Sequence, residues 1–368
     1  MAKAVKRKLA LLFAGGGTAG HVEPALAVAR TWRANHPNDE IEFLGTKSGL
    51  ESQLVPAAGF KLSHISKVVI PRKISLSLFV APTTLTQAFL EARAGLKGAD
   101  LLIGFGGYVS APAYLAARSL NIPIVIHEAN AKPGLANRLG ARLTNYLAVA
   151  QPVRAGKLSR ALITGLPLRS DVANALVKSG NDWVAARTKA KAALGMSGNA
   201  PVIAIFFGSQ GSVALNKVIA ESLPIFENTG VRVLHAVGKS NQLPKSGPSY
   251  KPVSYIEDMA SLYLAADLII ARSGAVTCSE VNALGKYALF IPLPIGNGEQ
   301  KVNARLVTEQ SRGEILDQRE FTPQWIEKHL DRLLKNSEMA SAAGNPSDLH
   351  ASEKIVALME EALKVKAK

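Results

Sequence analysis

The feature that most limits what this chain can become is a short apolar run that stops at glycines and restarts as a helical period, because it occurs twice. Residues 11–21 read LLFAGGGTAGH and residues 203–212 read IAIFFGSQGS. A strand, a glycine turn and a helix open a βαβ unit, so the repetition predicts two doubly wound domains with parallel sheets. The rest of the pattern agrees. Apolar runs at 9–14, 41–44, 101–104, 124–127 and 146–150 alternate with helical periods at 22–35, 109–120 and 134–141. Further on, runs at 202–207, 231–237, 268–271 and 288–291 alternate with helical periods at 213–226, 259–265, 276–284 and 300–310. The expected fold class is α/β with two Rossmann-like domains. Gly165-Leu166-Pro167-Leu168-Arg169 marks the boundary, giving a first domain over 1–168 and a second over 169–350. A last amphipathic helix, about 351–366, carries Ile355, Leu358, Met359 and Leu363 and can pack back on the first domain or dock on the second.

At 368 residues, 48% hydrophobic and 19% charged, the chain can bury two substantial cores and is not of disordered composition. Its single cysteine, Cys278, excludes an internal disulfide and fits a reducing compartment. Lys3, Lys6, Arg7 and Lys8 precede an apolar run of only six residues, too short for a signal-peptide core, which reads as a first strand. The uncharged stretch 74–90 is broken by Pro82 and diluted by Ser, Thr and Gln, so no membrane-spanning helix is expected. The net charge of +15 is uneven: no acid lies between Glu128 and Asp171, against Lys132, Arg138, Arg142, Arg154, Lys157, Arg160 and Arg169. Such a field draws polyanions, whether nucleic acid, lipid headgroups or phosphorylated substrates, unless the chain is simply basic throughout.

Gly15, Gly17 and Gly20 satisfy G-x-G-x-x-G between a strand and a helix. A dinucleotide enzyme should also end its second strand on an acid that holds the ribose, and here that strand ends Phe43-Leu44-Gly45-Thr46. The alternative use of the turn is as an anion site at a helix N-terminus, with glycines letting a substrate approach the backbone. His21, directly after the third glycine, then stands at the rim as a candidate general base; the plain alternative is a capping histidine without chemistry.

Gly208-Ser209-Gln210-Gly211-Ser212 repeats the device, with Ser209 placed to hydrogen-bond a phosphate. Arg272-Ser273-Gly274-Ala275-Val276-Thr277-Cys278-Ser279-Glu280 again leaves a strand and opens a helix. Its small residues leave room for a diphosphate, and Glu280, one turn on, can accept two hydrogen bonds from a ribose diol. Otherwise Glu280 is a solvated glutamate or a partner of the helix dipole.

Taken together these segments resemble the MurG family of bacterial cell-wall glycosyltransferases. The matching stretches are GGGTAGHVEPALAVA (15–29), GFGGYVSAPAYLAA (104–117), HEANAKPGLANR (127–138), GLPLR (165–169), GSQGS (208–212), YIEDM (255–259), RSGAVTCSE (272–280) and PLPIGNGEQKVNA (292–304), in family order over almost the whole chain. The resemblance implies a GT-B architecture, two Rossmann-like domains facing across a cleft. It implies transfer of GlcNAc from UDP-GlcNAc to the 4-hydroxyl of MurNAc on undecaprenyl-diphosphate-linked muramyl-pentapeptide, at the cytoplasmic face of the cell membrane. An α-linked donor and a β-linked product require inversion in one displacement, hence a base and stabilisation of departing UDP. The implied chemistry needs no metal and no cofactor, and no Asp/Glu cluster offers a metal site.

Carried over by resemblance, Ile256 meets uracil through its backbone and Glu280 binds the ribose. Ser209, Val276 and Thr277 lie at the phosphates with Arg169 nearby, while Asn130, Ala275, Glu299 and Gln300 orient the sugar. Thr18, grouped with the residues that bind UDP-GlcNAc, also lines the acceptor-side glycine loops with His21, Tyr108 and Glu128. Those loops comprise Gly15, Gly16, Gly17, Gly20, Gly106 and Gly107. His21 is the favoured base and Glu128 its rival. Where many members have GNPVR this chain has GLPLR, and where some carry two glutamines it has Glu299-Gln300, an acid that can still accept from sugar hydroxyls.

Two other classes stay open on sequence. One is another GT-B enzyme, a glycolipid synthase or a UDP-sugar epimerase, which would share Glu280 but has no need of GFGGYVS and HEAN. The other is a non-enzymatic binder of anionic lipid or nucleic acid; no basic motif interleaved with aromatics supports nucleic acid. A lipid-linked acceptor requires peripheral docking on an anionic membrane surface. The 67–97 segment offers Ile70, Ile74, Leu76, Leu78, Phe79 and Val80 beside Lys67, Arg72 and Lys73, unless these residues are ordinary core.

Overall fold

The computed structural model describes residues 7–68, 77–180, 182–295, 297–340 and 344–366. The chain divides into two compact units, Met1–Arg169 with Leu349–Lys368, and Ser170–Asp348. The first runs β1 (Ala10–Gly15), α1 (Ala19–Asn35), β2 (Glu40–Gly45), α2 (Glu51–Ala57), β3 (Lys61–His64), α3 (Ser77–Gly95), β4 (Leu101–Gly106), α4 (Ser110–Ser119), β5 (Ile124–Glu128), α5 (Leu135–Gly140), β6 (Tyr146–Val149) and β7 (Leu162–Ile163). The second runs α6 (Ser170–Ser179), α7 (Trp183–Ala193), β8 (Val202–Phe206), α8 (Val213–Glu221), α9 (Leu223–Asn228), β9 (Arg232–Ala236), β10 (Tyr250–Val253), α10 (Met259–Ala265), β11 (Leu268–Ala271), α11 (Ala275–Ala283), β12 (Tyr287–Phe290), α12 (Glu299–Thr308), β13 (Gly313–Ile315) and α13 (Pro323–Met339). The last helix, α14 (Ala351–Lys366), returns to the first unit.

Each unit holds one all-parallel sheet, in the order β3-β2-β1-β4-β5-β6-β7 and β10-β9-β8-β11-β12-β13. Both are Rossmann-like, and in both the strand order reverses beside the first strand, between β1 and β4 and between β8 and β11. Ligands of open α/β sheets bind at such reversals, beside the loops that leave the carboxyl ends of those strands.

A parallel sheet must be covered on both faces, so its strands are apolar on both. Leu11 and Phe13 of β1 pack under α1 and α14 with Val22, Leu26, Trp32, Ile355 and Met359. Leu12 and Ala14 face the opposite layer with Val109, Ala113 and Tyr114 of the α4 segment. In the second unit Val202, Ala204 and Phe206 share a core with Met259, Leu262 and Tyr263, while Ile203 and Ile205 share one with Ile326, Leu330 and Leu333. The last three recur at helical spacing and define the buried stripe of α13.

The strands and helices read from the two glycine turns stand close to their expected places, with differences where the physics is less local. The helix expected over 213–226 is two, α8 and α9, because Pro224 lacks the N–H that would continue the first and instead sits in the first turn of the second. The edge strands β3, β10 and β13 carry no continuous apolar run and β7, the remaining edge, is only two residues long; the sequence pattern predicts none of the four, nor α2, α3, α6, α7 and α13 as defined helices. Of the proposed docking segment, Arg72 and Lys73 lie outside the described residues. Leu78 and Phe79 fall in the first turn of α3, and their side chains lie outside the description too. No helix among the described residues is long and apolar enough to cross a membrane.

Two buried histidines carry an electrostatic consequence. His127 of β5 lies 3.1 Å from the Gly165 carbonyl through Nε2, and His235 of β9 lies 3.0 Å from the Tyr250 hydroxyl and 3.2 Å from Asn216 Oδ1. Burial pushes both imidazoles down to about 4, so both fold neutral. The unfolded chain takes up these protons below about 6.5 and the folded one only near 4, so stability is full above the first value and falls as pH drops between them. At pH 5 each group should remove on the order of 2 kcal/mol, read from urea unfolding at pH 7 and pH 5. Equal stability at the two values would contradict it, and His235→Gln should remove one share of the loss. Packing makes a second expectation: Met359 of α14 is fully buried in the first unit, so Met359→Ala should cost about 2–5 kcal/mol in the same assay.

Candidate active site

The first glycine turn joins β1 to α1, and Thr18 is the N-cap, its carbonyl accepting from the His21 and Val22 N–H groups at 3.1 and 3.2 Å. The GFGGY loop leaves β4 directly beside it. The two come so close that a Cβ on Gly107 would stand 2.2 Å from the Gly16 carbonyl oxygen, and one on Gly17 2.9 Å from the Tyr108 ring. Gly17, Gly106 and Gly107 also have positive φ, where a side chain is strained. Ser110 ties the strand ends together from below: its buried hydroxyl accepts from the Gly106 N–H at 3.1 Å and lies 3.1 Å from the Ala14 carbonyl. Tyr108 stays exposed, with the Lys67 ammonium 4.9 Å from its ring centre.

His21 stands half-buried between these loops. Its Nδ1 lies 3.0 Å from the Gly16 carbonyl oxygen and 3.2 Å from Thr18 Oγ1. A carbonyl only accepts, so Nδ1 carries the proton and Nε2 the lone pair in the neutral ring. A Cβ at Gly106 would come within 3.2 Å of Nε2, so the glycine keeps the space beside that nitrogen clear.

Glu128, at the end of β5, is differently placed. Its Oε1 accepts from the Asn130 N–H at 2.9 Å and Asn130 Nδ2 at 3.0 Å, and its Oε2 from the Gly134 N–H and Asn137 Nδ2, each at 3.0 Å. Those four donors fill the lone-pair positions of a carboxylate. Asn137 is oriented in turn by the Tyr114 hydroxyl at 2.7 Å. Glu128 thus shapes the loop that carries Asn130. Sequence reasoning missed a further acid, Glu51, which is fully buried and accepts from the Gly17 N–H at 2.9 Å.

In the second unit the GSQGS loop after β8 and the RSGA segment after β11 meet at the other reversal. A Cβ on Gly211 would lie 1.8 Å from the Val237 carbonyl, which packs Ser209 and Gln210 against the end of β9. Gly274 is the N-cap of α11, with no side-chain capping bond, and Ala275, Val276 and Thr277 form the first turn. Arg272 is buried and donates to the Ile291 and Pro292 carbonyls at 3.0 Å each and to Gln318 Oε1 at 2.7 Å. The buried Ser273 hydroxyl has no hydrogen-bond partner among the described residues.

Glu280 is neither solvated nor open to the surface: it is completely buried, and the Tyr263 hydroxyl donates to its Oε2 at 2.9 Å. Ile256 is buried in the same core as Tyr263. Gln300 Oε1 accepts from the Leu293 N–H at 2.9 Å, which fixes the carboxamide, and Glu299 exchanges bonds with Asn297. Arg169 is half-buried and closes the first unit, while the six other cations of the acid-free stretch are exposed. No cluster of three or more His, Cys, Asp or Glu among the described residues is arranged to hold a metal.

The chain matches the glycosyltransferase family 28 N-terminal domain over residues 11–149 and the family 28 C-terminal domain over residues 202–359. A UDP-N-acetylglucosamine–N-acetylmuramyl-(pentapeptide) pyrophosphoryl-undecaprenol N-acetylglucosamine transferase of Streptomyces coelicolor is 41% identical over 373 residues, covering 97% of this chain and 99% of that one. The enzyme of the same name from Corynebacterium efficiens is 44% identical over 347 residues, covering 94% and 91%. Among solved structures, MurG of Acinetobacter baumannii superposes with a TM-score of 0.69 at 27% identity, covering 96% of this chain and all of that one. The glycosyltransferase SnogD of Streptomyces nogalater, at 17% identity and TM-score 0.56 over 95% of this chain and all of its own, shares the fold. No dinucleotide-dependent oxidoreductase reading survives this; the chain belongs to glycosyltransferase family 28 and is a hexosyltransferase of the MurG family.

Proposed function

We propose that the chain transfers GlcNAc from UDP-GlcNAc to the 4-hydroxyl of MurNAc in undecaprenyl-diphosphate-linked muramyl-pentapeptide, with inversion, and that His21 is the general base. The observation that carries the role of His21 is its anchored Nδ1, 3.0 Å from the Gly16 carbonyl, which leaves Nε2 as a proton acceptor beside an unobstructed glycine. Glu128, with its acceptor positions filled, positions Asn130 rather than taking the proton. The donor belongs to the second unit. There Ser209 and the first turn of α11, with Val276 and Thr277, offer hydroxyls, backbone N–H groups and a positive helix end to a diphosphate. By the family resemblance Glu280 takes the ribose hydroxyls, which requires its carboxylate to turn out of the enclosure it shares with Tyr263, and the Ile256 backbone takes the uracil. Asn130, Ala275, Glu299 and Gln300 orient the sugar, and Thr18 and Arg169 complete the contacts.

A pair of variants tests the division of labour. His21→Ala should bind UDP-GlcNAc normally by calorimetry yet slow transfer to a soluble lipid-linked acceptor analogue by roughly two to four orders of magnitude. Near-normal turnover would mean that another group takes the proton. Glu280→Gln keeps the shape and an acceptor for Tyr263, so it should melt like the wild type while losing about 1.5–3 kcal/mol of UDP affinity. Unchanged UDP binding would remove Glu280 from the nucleotide site.

The acceptor's undecaprenyl chain keeps it in a bilayer, so the same reading places the enzyme peripherally at the cytoplasmic membrane face, docked through the segment that carries Arg72, Lys73, Leu78 and Phe79. Arg72→Glu with Lys73→Glu should weaken sedimentation with anionic vesicles by about 1 kcal/mol per residue, most at low salt, and leave turnover of a soluble acceptor intact. Equal sedimentation of variant and wild type would put the docking surface elsewhere.

A further inference from the structure

Glu51 opens α2, a helix of seven residues, where a glutamate ordinarily faces solvent or its own first turn. Here its side chain is fully buried and reaches out of the helix. Oε2 accepts from the Gly17 N–H at 2.9 Å, and Oε1 accepts from the Thr46 N–H and the Thr46 hydroxyl, both at 2.8 Å. The backbone is shaped around this carboxylate. A Cβ on Gly16 would lie 2.8 Å from Oε1, one on Gly49 2.1 Å from Oε2, and one on Gly45 2.5 Å from Cγ. Burial pushes the Glu51 carboxyl up, but its bonds from Gly17, Thr46 and its own N–H outweigh that and hold it below the usual carboxylate range, so it is ionised.

The N–H that Glu51 engages belongs to the peptide unit whose carbonyl holds His21. Gly16 C=O and Gly17 N–H are the two ends of one rigid plane. Its oxygen lies 3.0 Å from His21 Nδ1 and its nitrogen 2.9 Å from Glu51 Oε2. A carboxylate on the N–H fixes the plane and polarises the amide, which makes the oxygen a stronger acceptor. Thr18 Oγ1, at 3.2 Å from the same Nδ1, cannot enforce a tautomer, because a hydroxyl donates as readily as it accepts. The carbonyl can enforce one only while the plane is held.

We propose that Glu51 is the positioning residue for His21, acting through the Gly16–Gly17 peptide to hold the imidazole in the Nδ1–H tautomer with its lone pair on Nε2. The arrangement is a carboxylate–histidine pair with one peptide interposed, in which the second partner sets the ring's tautomer and orientation as it does for other functional histidines. Its relevance to turnover rests on His21 being the base.

The test uses the whole protein with Glu51→Gln, which keeps the volume but turns an amide NH2 toward donors. Nitrogen NMR of the His21 side chain should change from a single Nδ1–H form in the wild type to a mixture. Transfer should slow roughly 10–100-fold in kcat with the donor KM unchanged. Glu51→Asp keeps the charge with a shorter reach and should recover part of both. Wild-type tautomer and wild-type kcat in whichever of the two variants folds overturns the proposal. Failure of the two ideas is separable. If His21→Ala turns over normally while Glu51→Gln still mixes the tautomers, the base assignment falls and the coupling stands. If His21→Ala is inactive and Glu51→Gln leaves both readouts unchanged, the coupling falls alone.

Discussion

The first unit depends on a backbone crossing that tolerates no side chain. Where the strand order reverses between β1 and β4, the outgoing loops pass with the Gly16 carbonyl so near Gly107 that a Cβ there would stand 2.2 Å away. That contact aims the carbonyl, and the carbonyl aims His21. The same economy recurs in the second unit, where a Cβ on Gly238 would lie 2.3 Å from the Gln210 carbonyl and hold the GSQGS loop away from its own strand. Glycine at these points is therefore a matter of excluded volume, and positive φ at Gly17, Gly107, Gly211 and Gly238 adds a second reason against any other residue.

Polar groups at the crossings divide into those already occupied and those left able to act. Glu128 and Glu51 are buried carboxylates whose oxygens are taken up by loop N–H and side-chain donors. They cost desolvation and return loop geometry. His21 keeps a nitrogen in reserve, and Ser273 a hydroxyl. On the proposed reading, satisfied groups supply the rigid support and His21 acts from it, the arrangement that preorganisation demands.

Where burial is complete on both faces of a strand, the sequence spells it locally: β11 and α10 lie at Leu268–Ala271 and Met259–Ala265, the positions read from apolar pattern alone. Edges do not spell themselves. Lys-Leu-Ser-His of β3 and Tyr-Lys-Pro-Val of β10 are half-exposed, so their pairing is decided by the neighbouring strand rather than by their own composition. The candidate site is legible in the same proportion. Residues in the glycine turns announced themselves by spacing, whereas Glu51 sits in an unremarkable Ser-Gly-Leu-Glu-Ser and finds its partners in two other segments. The one signal was the pair of glycines, Gly45 and Gly49, closing on a single acid. Burial of Glu280 was equally hidden, since its enclosure comes from Tyr263 on a different helix.

The two units also explain one another. Ala99-Asp100-Leu101-Leu102-Ile103-Gly104-Phe105-Gly106-Gly107 and Ala266-Asp267-Leu268-Ile269-Ile270-Ala271-Arg272-Ser273-Gly274 are one pattern laid down twice. In each, the aspartate clamps the start of the central strand: Asp100 accepts from the Ala10 N–H at 3.0 Å and Asp267 from the Val202 N–H at 2.8 Å, with Arg7 and Arg187 as counter-ions. With the register fixed at that end, what differs at the other end is three residues. Phe-Gly-Gly places a buried ring, 6.4 Å from that of Phe13, beneath a bare backbone crossing. Arg-Ser-Gly places a guanidinium across two carbonyls and an unpartnered hydroxyl at a helix start. On the proposed reading the base needs the first environment, sterically defined and with no guanidinium set into the loop, because an adjacent cation would disfavour its protonated form. A departing nucleoside diphosphate needs the second, with positive charge nearby and the unpaired N–H groups of a helix start. On the proposed reading, one structural frame serves both halves of the transfer, and the division between base and leaving-group stabiliser is set by the identity of the residues at 105–107 and 272–274.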